Sequence, residues 1–335
     1  MLASLGWDAH FEEKFKQVAG PGEVPARVLA DYAAEYLIHD GARSLRATAR
    51  HVDPAVGDWV AVEGDAIKGI VERRTLFARQ SPGSETRQQV LAANVDVAFI
   101  VAAATDVNAR RIERYLTIAW QSGAMPVVVL TKADLLDSVD GVLSELESAA
   151  AGTPVTVTSS VSGAGLEEIT RHLQPHRTGV LLGPSGAGKS TLINSIVGTV
   201  VMRTREIHGS SGEGRHMTSH RQLVQLPGGG MIIDTPGLRE AQLWEGDDAL
   251  AAVFDDIEVL AQRCRFNDCS HRTEPGCAIK AALAAGTLDS GRFESYRKLQ
   301  RELRSIATRN DVRLRIEERR KWKNISRAVR ARTRP

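Results

Sequence analysis

The spacing of hydrophobic positions changes along the chain. Between Val24 and about Gln80, short segments alternate apolar and polar residues and are cut by turn residues: RVLADY, EYLIHDG, SLRATAR, GDWVAVEGD and IKGIVERR. Period-two alternation puts every second side chain on one face, so each segment is expected to be a half-buried strand. Five such strands in so short a span point to a small barrel, with the OB type the first candidate. Residues 1–23 read as a loosely structured lead-in that ends in GPGEVP.

Further on, the runs become continuous. VDVAFIVAAAT (95–105) and MPVVVLTK (125–132) suit strands buried on both faces. Between them, ARRIERYLTIAWQSGA carries Ile112, Tyr115, Leu116 and Ala119 at helical spacing. DGVLSELESAAA reads as a helix, TPVTVTSS as a strand and GLEEITRHL as a helix. TGVLLGPSGAGKSTLINSIVG reads as strand, loop and helix, and MIIDTPG as a last strand. Strands alternating with helices predict a parallel sheet covered on both faces. After Gly246 the pattern is helical, and Phe293, Tyr296, Leu299, Leu303 and Ile306 form an i, i+3, i+4 stripe fit for a core. The expected organisation is an extension (1–23), an OB-like barrel (24–82), an α/β P-loop domain (83–246) and a mainly α, metal-binding domain with a basic helical tail (247–335).

The candidate chemistry sits in the loops. Gly183-Pro184-Ser185-Gly186-Ala187-Gly188-Lys189-Ser190 fits G-x-x-x-x-G-K-[ST] and lies between a strand and a helix. Its glycines let backbone N–H groups converge on phosphate oxygens, and the helix N-terminus adds partial positive charge. Lys189 is expected to reach the β- and γ-phosphates and Ser190 to hold Mg²⁺, with Thr191 completing the nucleotide-contacting run. Asp234-Thr235-Pro236-Gly237 follows 45 residues after Lys189. Asp234 at a strand end can hold Mg²⁺, and the Gly237 N–H can meet a γ-phosphate. Between the two motifs, GSSGEGRHMTSH (209–220) offers Thr218 as the residue that caps Mg²⁺, with Thr204 and Ser219 as alternatives.

Thr131-Lys132-Ala133-Asp134 ends a buried run 57 residues before Lys189. A carboxylate at Asp134 suits the paired donors on guanine N1 and N2, which adenine lacks, and the Lys132 stem can lie along the base. The Ser159-Ser160 backbone in TSSVSGAGL fits a companion loop for guanine O6. In ordinary GTPases the guanine loop follows the phosphate loop; here it comes first, as in a circularly permuted chain.

Cys264, Cys269, His271 and Cys277 lie within 14 residues, and the chain has no other cysteine. Three thiolates and an imidazole make a closed tetrahedral set for one structural Zn²⁺, with no open position for catalysis.

Composition adds one asymmetry. Net charge is +2, but residues 292–335 hold 16 lysines and arginines against 5 acidic residues, while the remainder nets −9. A basic tail on an acidic body suits a polyanionic partner, with salt-sensitive binding. The barrel segment 24–80 carries 8 residues of each sign and has no such footprint. No stretch is apolar enough to span a membrane and the N-terminus lacks a signal-peptide pattern, so a cytoplasmic monomer without membrane contact is the default expectation.

The order T-K-x-D, Ser-Ser, phosphate loop, Thr loop, D-T-P-G, together with GPSGAGKSTLIN, GRHMTSH, IIDTPGLRE and FNDCSHRTEPGCAI, resembles the circularly permuted, ribosome small-subunit-dependent GTPases (the RsgA family, also called YjeQ). The resemblance spans roughly residues 24–330. It implies an OB barrel, a permuted GTPase domain, a zinc domain, GTP/GDP and Mg²⁺ as ligands, and the 30S subunit with its 16S rRNA as partner. It also implies a late role in 30S maturation, with hydrolysis stimulated by that particle. Taken alone, the motifs also suit a P-loop ATPase, or an RNA-binding scaffold with little turnover. In Ras-like enzymes a glutamine after the D-x-x-G glycine orients water; here that position is Leu238, and His216 is the candidate to supply the missing group.

Overall fold

The computed structural model describes residues 2–80, 88–150, 152–198, 221–234 and 248–310. The chain divides into two compact units, residues 1–79 with 90–241 and residues 80–89 with 242–335.

In the first unit all five expected barrel strands form: β1 (Val24–Asp31), β2 (Tyr36–His39), β3 (Ser44–Ala49), β4 (Trp59–Glu63) and β5 (Ala66–Ile70). They run in the order β1-β2-β3-β5-β4, and a β1–β4 pairing closes the ring. Alternation explains the interior. Ala26, Val28, Ile38, Val60 and Val62 fill one buried cluster, so Arg27 and Trp59 point out of the barrel. Both are nonetheless buried.

What covers them is the N-terminal segment, which is ordered rather than a loose lead-in. A 3-10 turn (Leu2–Leu5) precedes α1 (Ala9–Val18), and Asp8 caps that helix by accepting from the N–H groups of His10 and Phe11 at 3.0 and 3.2 Å. Such a cap contributes about 1 kcal/mol. Trp7 meets Trp59 edge-on at 4.7 Å, and Phe11 lies 5.9 Å from Trp59. Burial pushes the Asp8 carboxyl up, but the Arg74 guanidinium and the two N–H groups hold it below its ordinary value. Composition is a poor guide here: a short polar helix with two phenylalanines, preceded by Trp7, gains its order from the barrel wall, a partner no local pattern reveals.

The first unit also holds most of β6 (Leu76–Gln80) and β7 (Gln88–Ala93), and all of β8 (Val97–Ala103), α2 (Ala109–Ser122), β9 (Met125–Thr131), α3 (Asp140–Ala150), β10 (Val155–Val157), α4 (Leu166–His172), β11 (Thr178–Leu182), α5 (Lys189–Val197), β12 (Arg221–Gln225) and β13 (Met231–Asp234). The strands β10-β9-β8-β11-β13 are parallel and β12 adds antiparallel to β13. Every residue of β8 is buried, as its continuous run predicts. Val97, Phe99 and Val101 pack with α4 and α5 side chains such as Ile169, Leu192 and Ile193. The α2 helix packs on β8 and β9, and α3 on α2 and β10. The short strands β6, β7 and β12 go beyond the sequence reading; β6 and β7 make a separate two-stranded sheet.

Barrel and parallel sheet share one continuous sheet, because β12 also pairs with β1. A bulge between Val28 and Ala30 re-aims β1 at that point. Beside it, Gly57 approaches so closely that a Cβ there would lie 2.1 Å from the Ala93 carbonyl oxygen and 2.9 Å from Ile233. Asp58, fully buried, accepts from Arg73 Nε and Nη2 at 2.7 and 2.6 Å and from the Ala55 N–H. Burial raises its carboxyl above the ordinary value despite those partners.

Arg27 is the junction. Its Nη1 donates to the Leu5 carbonyl, and its Nη2 donates to Thr178 Oγ1 at 2.7 Å and to the Asn94 carbonyl at 3.3 Å. The guanidinium lies 5.3 Å from the Trp59 ring. Desolvation pulls its pKa down to about 10, with Asp96 and Asp58 opposing, so it is charged at neutral pH.

The second unit contains α6 (Asp248–Val253), α7 (Asp255–Ala261), α8 (Ala278–Ala284) and α9 (Ser290–Asn310). The predicted stripe from Phe293 to Ile306 is buried, and Tyr296 donates to Glu258 at 2.8 Å while Arg292 grips Asp256 at 2.8 and 2.9 Å. Among the described residues no helix is long and apolar enough to cross a membrane.

Replacing Arg27 by alanine should cost about 3 kcal/mol, because three buried acceptors lose their donor. Lysine should not restore it, since one ammonium cannot span the fork. Urea unfolding of the two variants checks this; stability equal to the parent in Arg27→Ala would refute it.

Candidate nucleotide site and metal centre

Parallel strands send all their carboxyl ends to one edge of a sheet, and ligand-binding loops collect there. The Thr131–Asp134 loop follows β9, Ser159-Ser160 follow β10, the phosphate loop follows β11, and Asp234 closes β13. Four motifs far apart in sequence are therefore brought to the same edge.

The phosphate loop is built from its backbone up. At Gly183 (φ 146°) a Cβ would lie 2.4 Å from the Val101 carbonyl oxygen, so the turn out of β11 excludes side chains. Gly188 caps α5, which places Lys189, Ser190 and Thr191 in its first turn. Lys189 Nζ donates to the Gly183 and Pro184 carbonyls at 2.8 and 2.6 Å, which holds its ammonium over the loop. Ser185 and Gly186 are exposed, and Ala187 is buried in the core below.

The guanine-loop candidates are tied to this loop directly. The buried Thr131 hydroxyl lies 2.6 Å from the Ala187 carbonyl oxygen and 3.2 Å from that of Ala102. Lys132, in the left-handed region (φ 58°), donates from Nζ to the Gly186 carbonyl at 2.7 Å. Asp134 accepts from Ser159 Oγ at 2.5 Å. That oxygen also accepts from the N–H groups of Val161 and Ser162, both at 3.2 Å. From sequence, Ser159 is expected to act through its backbone alone. Its hydroxyl contact spans 25 residues and no spacing rule signals it. Ser160 is half-buried beside it. His216, Thr218 and Gly237, with Thr204, Ser219 and Leu238, lie outside the described residues.

In the second unit, one ligand atom from each of Cys264, Cys269, His271 and Cys277 falls within a 4.8 Å cluster. Zn–S bonds of about 2.3 Å and Zn–N bonds of about 2.0–2.1 Å at tetrahedral angles require S···S near 3.8 Å and S···N near 3.6 Å. Here Cys264 Sγ to Cys277 Sγ is 3.9 Å, and His271 Nδ1 lies 3.6 and 3.5 Å from those sulfurs. The donor set fits zinc, with Nδ1 as the ligand atom. Burial raises the Cys264 thiol, but the N–H groups of Ala278 and Ile279 at the start of α8 outweigh it and lower the pKa, whereas burial pushes the Cys269 thiol up to about 11. Burial also lowers the His271 pKa, favouring its neutral form. Glu274 organises the intervening turn by accepting from Ser270 and from the Arg272 and Thr273 N–H groups. Those bonds, the Ser270 hydroxyl first, hold its carboxyl far below the usual range.

A barrel, a phosphate loop, a T-K-x-D loop placed ahead of it, and a Cys/His cluster near the C-terminus define a circularly permuted P-loop GTPase, a GTP hydrolase. A family model described as RsgA GTPase matches residues 70–244. The chain is 43% identical to the small ribosomal subunit biogenesis GTPase RsgA of Syntrophotalea carbinolica, over 97% of this chain and 96% of that one. It is 44% identical to the RsgA of Streptomyces avermitilis, over 96% and 91%. The crystal structure of YjeQ from Thermotoga maritima superposes with TM-score 0.63 at 25% identity, covering 84% of this chain and 98% of that one. That of YloQ, a circularly permuted GTPase, gives 0.59 at 24% identity, covering 84% and 96%. This chain belongs to the RsgA GTPase family.

Metal analysis under reducing conditions should find about one zinc per chain. Cys269→Ala should lose it and lower the melting of the 248–310 helices while nucleotide binding persists. Zinc-free protein with unchanged melting would remove the site.

Proposed function

We propose that the protein hydrolyses GTP as a switch in late assembly of the small ribosomal subunit, as a cytoplasmic monomer. The observation that carries the guanine assignment is the direct tie between the two loops: Lys132 on Gly186, Thr131 on Ala187, and Ser159 fixing the Asp134 carboxylate. Asp134 then reads guanine N1 and N2, and the Lys132 stem covers the base. Gly183 to Thr191 cradle the phosphates, with Lys189 moving from loop carbonyls to phosphate oxygens. Ser190, Thr218 and Asp234 hold Mg²⁺, which neutralises charge on the β- and γ-oxygens when bound, and Gly237 meets the γ-phosphate. Cys264, Cys269, His271 and Cys277 hold zinc in a structural role. The ribosomal assignment rests on relatives named for small-subunit biogenesis. The basic residues beyond Arg292 supply a surface for 16S rRNA phosphates.

Leu238 cannot orient a water, so intrinsic turnover is slow and the 30S particle supplies the stimulus, with His216 acting in the chemistry. Loss of γ-phosphate at Gly237 shifts affinity for the particle, and by linkage the particle shifts nucleotide affinity by the same factor.

Asp134→Ala should abolish the preference for GTP over ATP in competition binding; retained preference would reject the guanine assignment. In a turnover assay with and without 30S subunits, His216→Ala should bind nucleotide as the parent does but lose roughly 10²-fold or more of the stimulated rate. Full stimulation in that variant would discard His216, and no stimulation of the parent would discard the 30S reading.

A further inference from the structure

β1 uses one edge twice. Val24–Arg27 pair with β4 and close the barrel, whereas Ala30 and Asp31 pair with Gln222 and Arg221 of β12. β12 in turn sets Gln222 opposite Asp234 on β13. Ala30, Gln222 and Asp234 therefore stand side by side across three strands, a row that runs from the barrel to the carboxylate assigned to Mg²⁺. A two-residue ladder is too short to fix register by itself, because strand register is set by side chains. The side chains at this joint are an ion pair. Arg221 Nη1 lies 3.7 Å from Asp31 Oδ2, with the two side chains 14% and 23% exposed. Arg221 Nη1 also donates to the Val90 carbonyl at 3.2 Å, and Asp31 Oδ1 accepts from the Ala33 N–H at 2.8 Å, so both partners are held from behind.

We propose that Asp31 and Arg221 are a positioning pair for the GTPase reaction. They pin the first residue of β12 to the barrel and thereby set the depth at which Asp234 presents its carboxylate to Mg²⁺. The proposal rests on the reading of Asp234 as a Mg²⁺-holding residue. It makes the barrel wall part of the support for the metal site, a role distinct from any contact the barrel makes with a partner.

The test is a Mg²⁺ titration of binding of a non-hydrolysable GTP analogue to full-length protein. Asp31→Asn and Arg221→Ala should each raise the half-saturating Mg²⁺ roughly fivefold. The double variant should be no worse than Arg221→Ala, because the ion pair is already lost there. GDP affinity without Mg²⁺ should stay at the parent value, which a merely unstable fold would not allow. Asp234→Asn is the control. If it shifts the Mg²⁺ requirement and the Asp31 and Arg221 variants do not, the positioning role is overturned. If Asp234→Asn itself leaves the requirement unchanged, the Mg²⁺ assignment fails and the proposal with it. Should Arg221→Ala not fold, Arg221→Gln carries the same comparison.

Discussion

One buried cation sets the frame for the first unit. Arg27 stands on a barrel strand, yet its two Nη groups donate to the N-terminal turn, to Asn94 and to the first residue of the strand that leads to the phosphate loop, while its buried Nε has no partner. A guanidinium out of water is tolerated only where its fork is matched by acceptors and an aromatic face. Leu5, Asn94 and Thr178 match its two Nη groups and Trp59 supplies the aromatic face, so the four segments that carry them are tied to one side chain. The glycine at 57 and the pairing of buried Asp58 with half-buried Arg73 sit in the same region and narrow the freedom further.

The nucleotide edge depends on that frame in a graded way. The parallel strands bring the loops to one side of the sheet, which is coarse placement. Fine placement comes from polar contacts between loops: Thr131 and Lys132 bind carbonyls of the phosphate loop, and Ser159 holds Asp134. Base-side and phosphate-side residues thus share hydrogen bonds. The metal cluster follows another logic: its sulfurs and Nδ1 sit at spacings that suit tetrahedral zinc, with the cap of α8 and the Glu274 turn supplying the geometry.

Much of this was legible in the sequence because the signals are local and periodic. Five alternating segments gave the barrel strands, and continuous runs gave β8, β9 and β11. Glycine spacing marked the phosphate loop, and the Cys/His spacing marked the cluster. The position of Thr131–Asp134 ahead of Gly183–Ser190 marked the permuted order. What escaped has a common cause. The ordered N-terminal helix, the short strand β12, the Ser159 hydroxyl on Asp134 and the hub at Arg27 all draw their stability from residues distant in the chain. An isolated arginine in an alternating strand reads as a solvent-facing residue, and only the tertiary neighbours reverse that reading.

The double use of the β1 edge bears on how freely this architecture can be recombined. A barrel appended by a linker could be exchanged or lost without harm to its neighbour. Here its removal would strip β12 of a pairing partner and leave an open strand edge beside β13, a template for unwanted association. Any relative that dispensed with the barrel would need a new strand, helix or charged rim along that edge. The barrel is grafted into the sheet, and shuffling it as a cassette would carry a folding penalty that a shuffled linker domain would not.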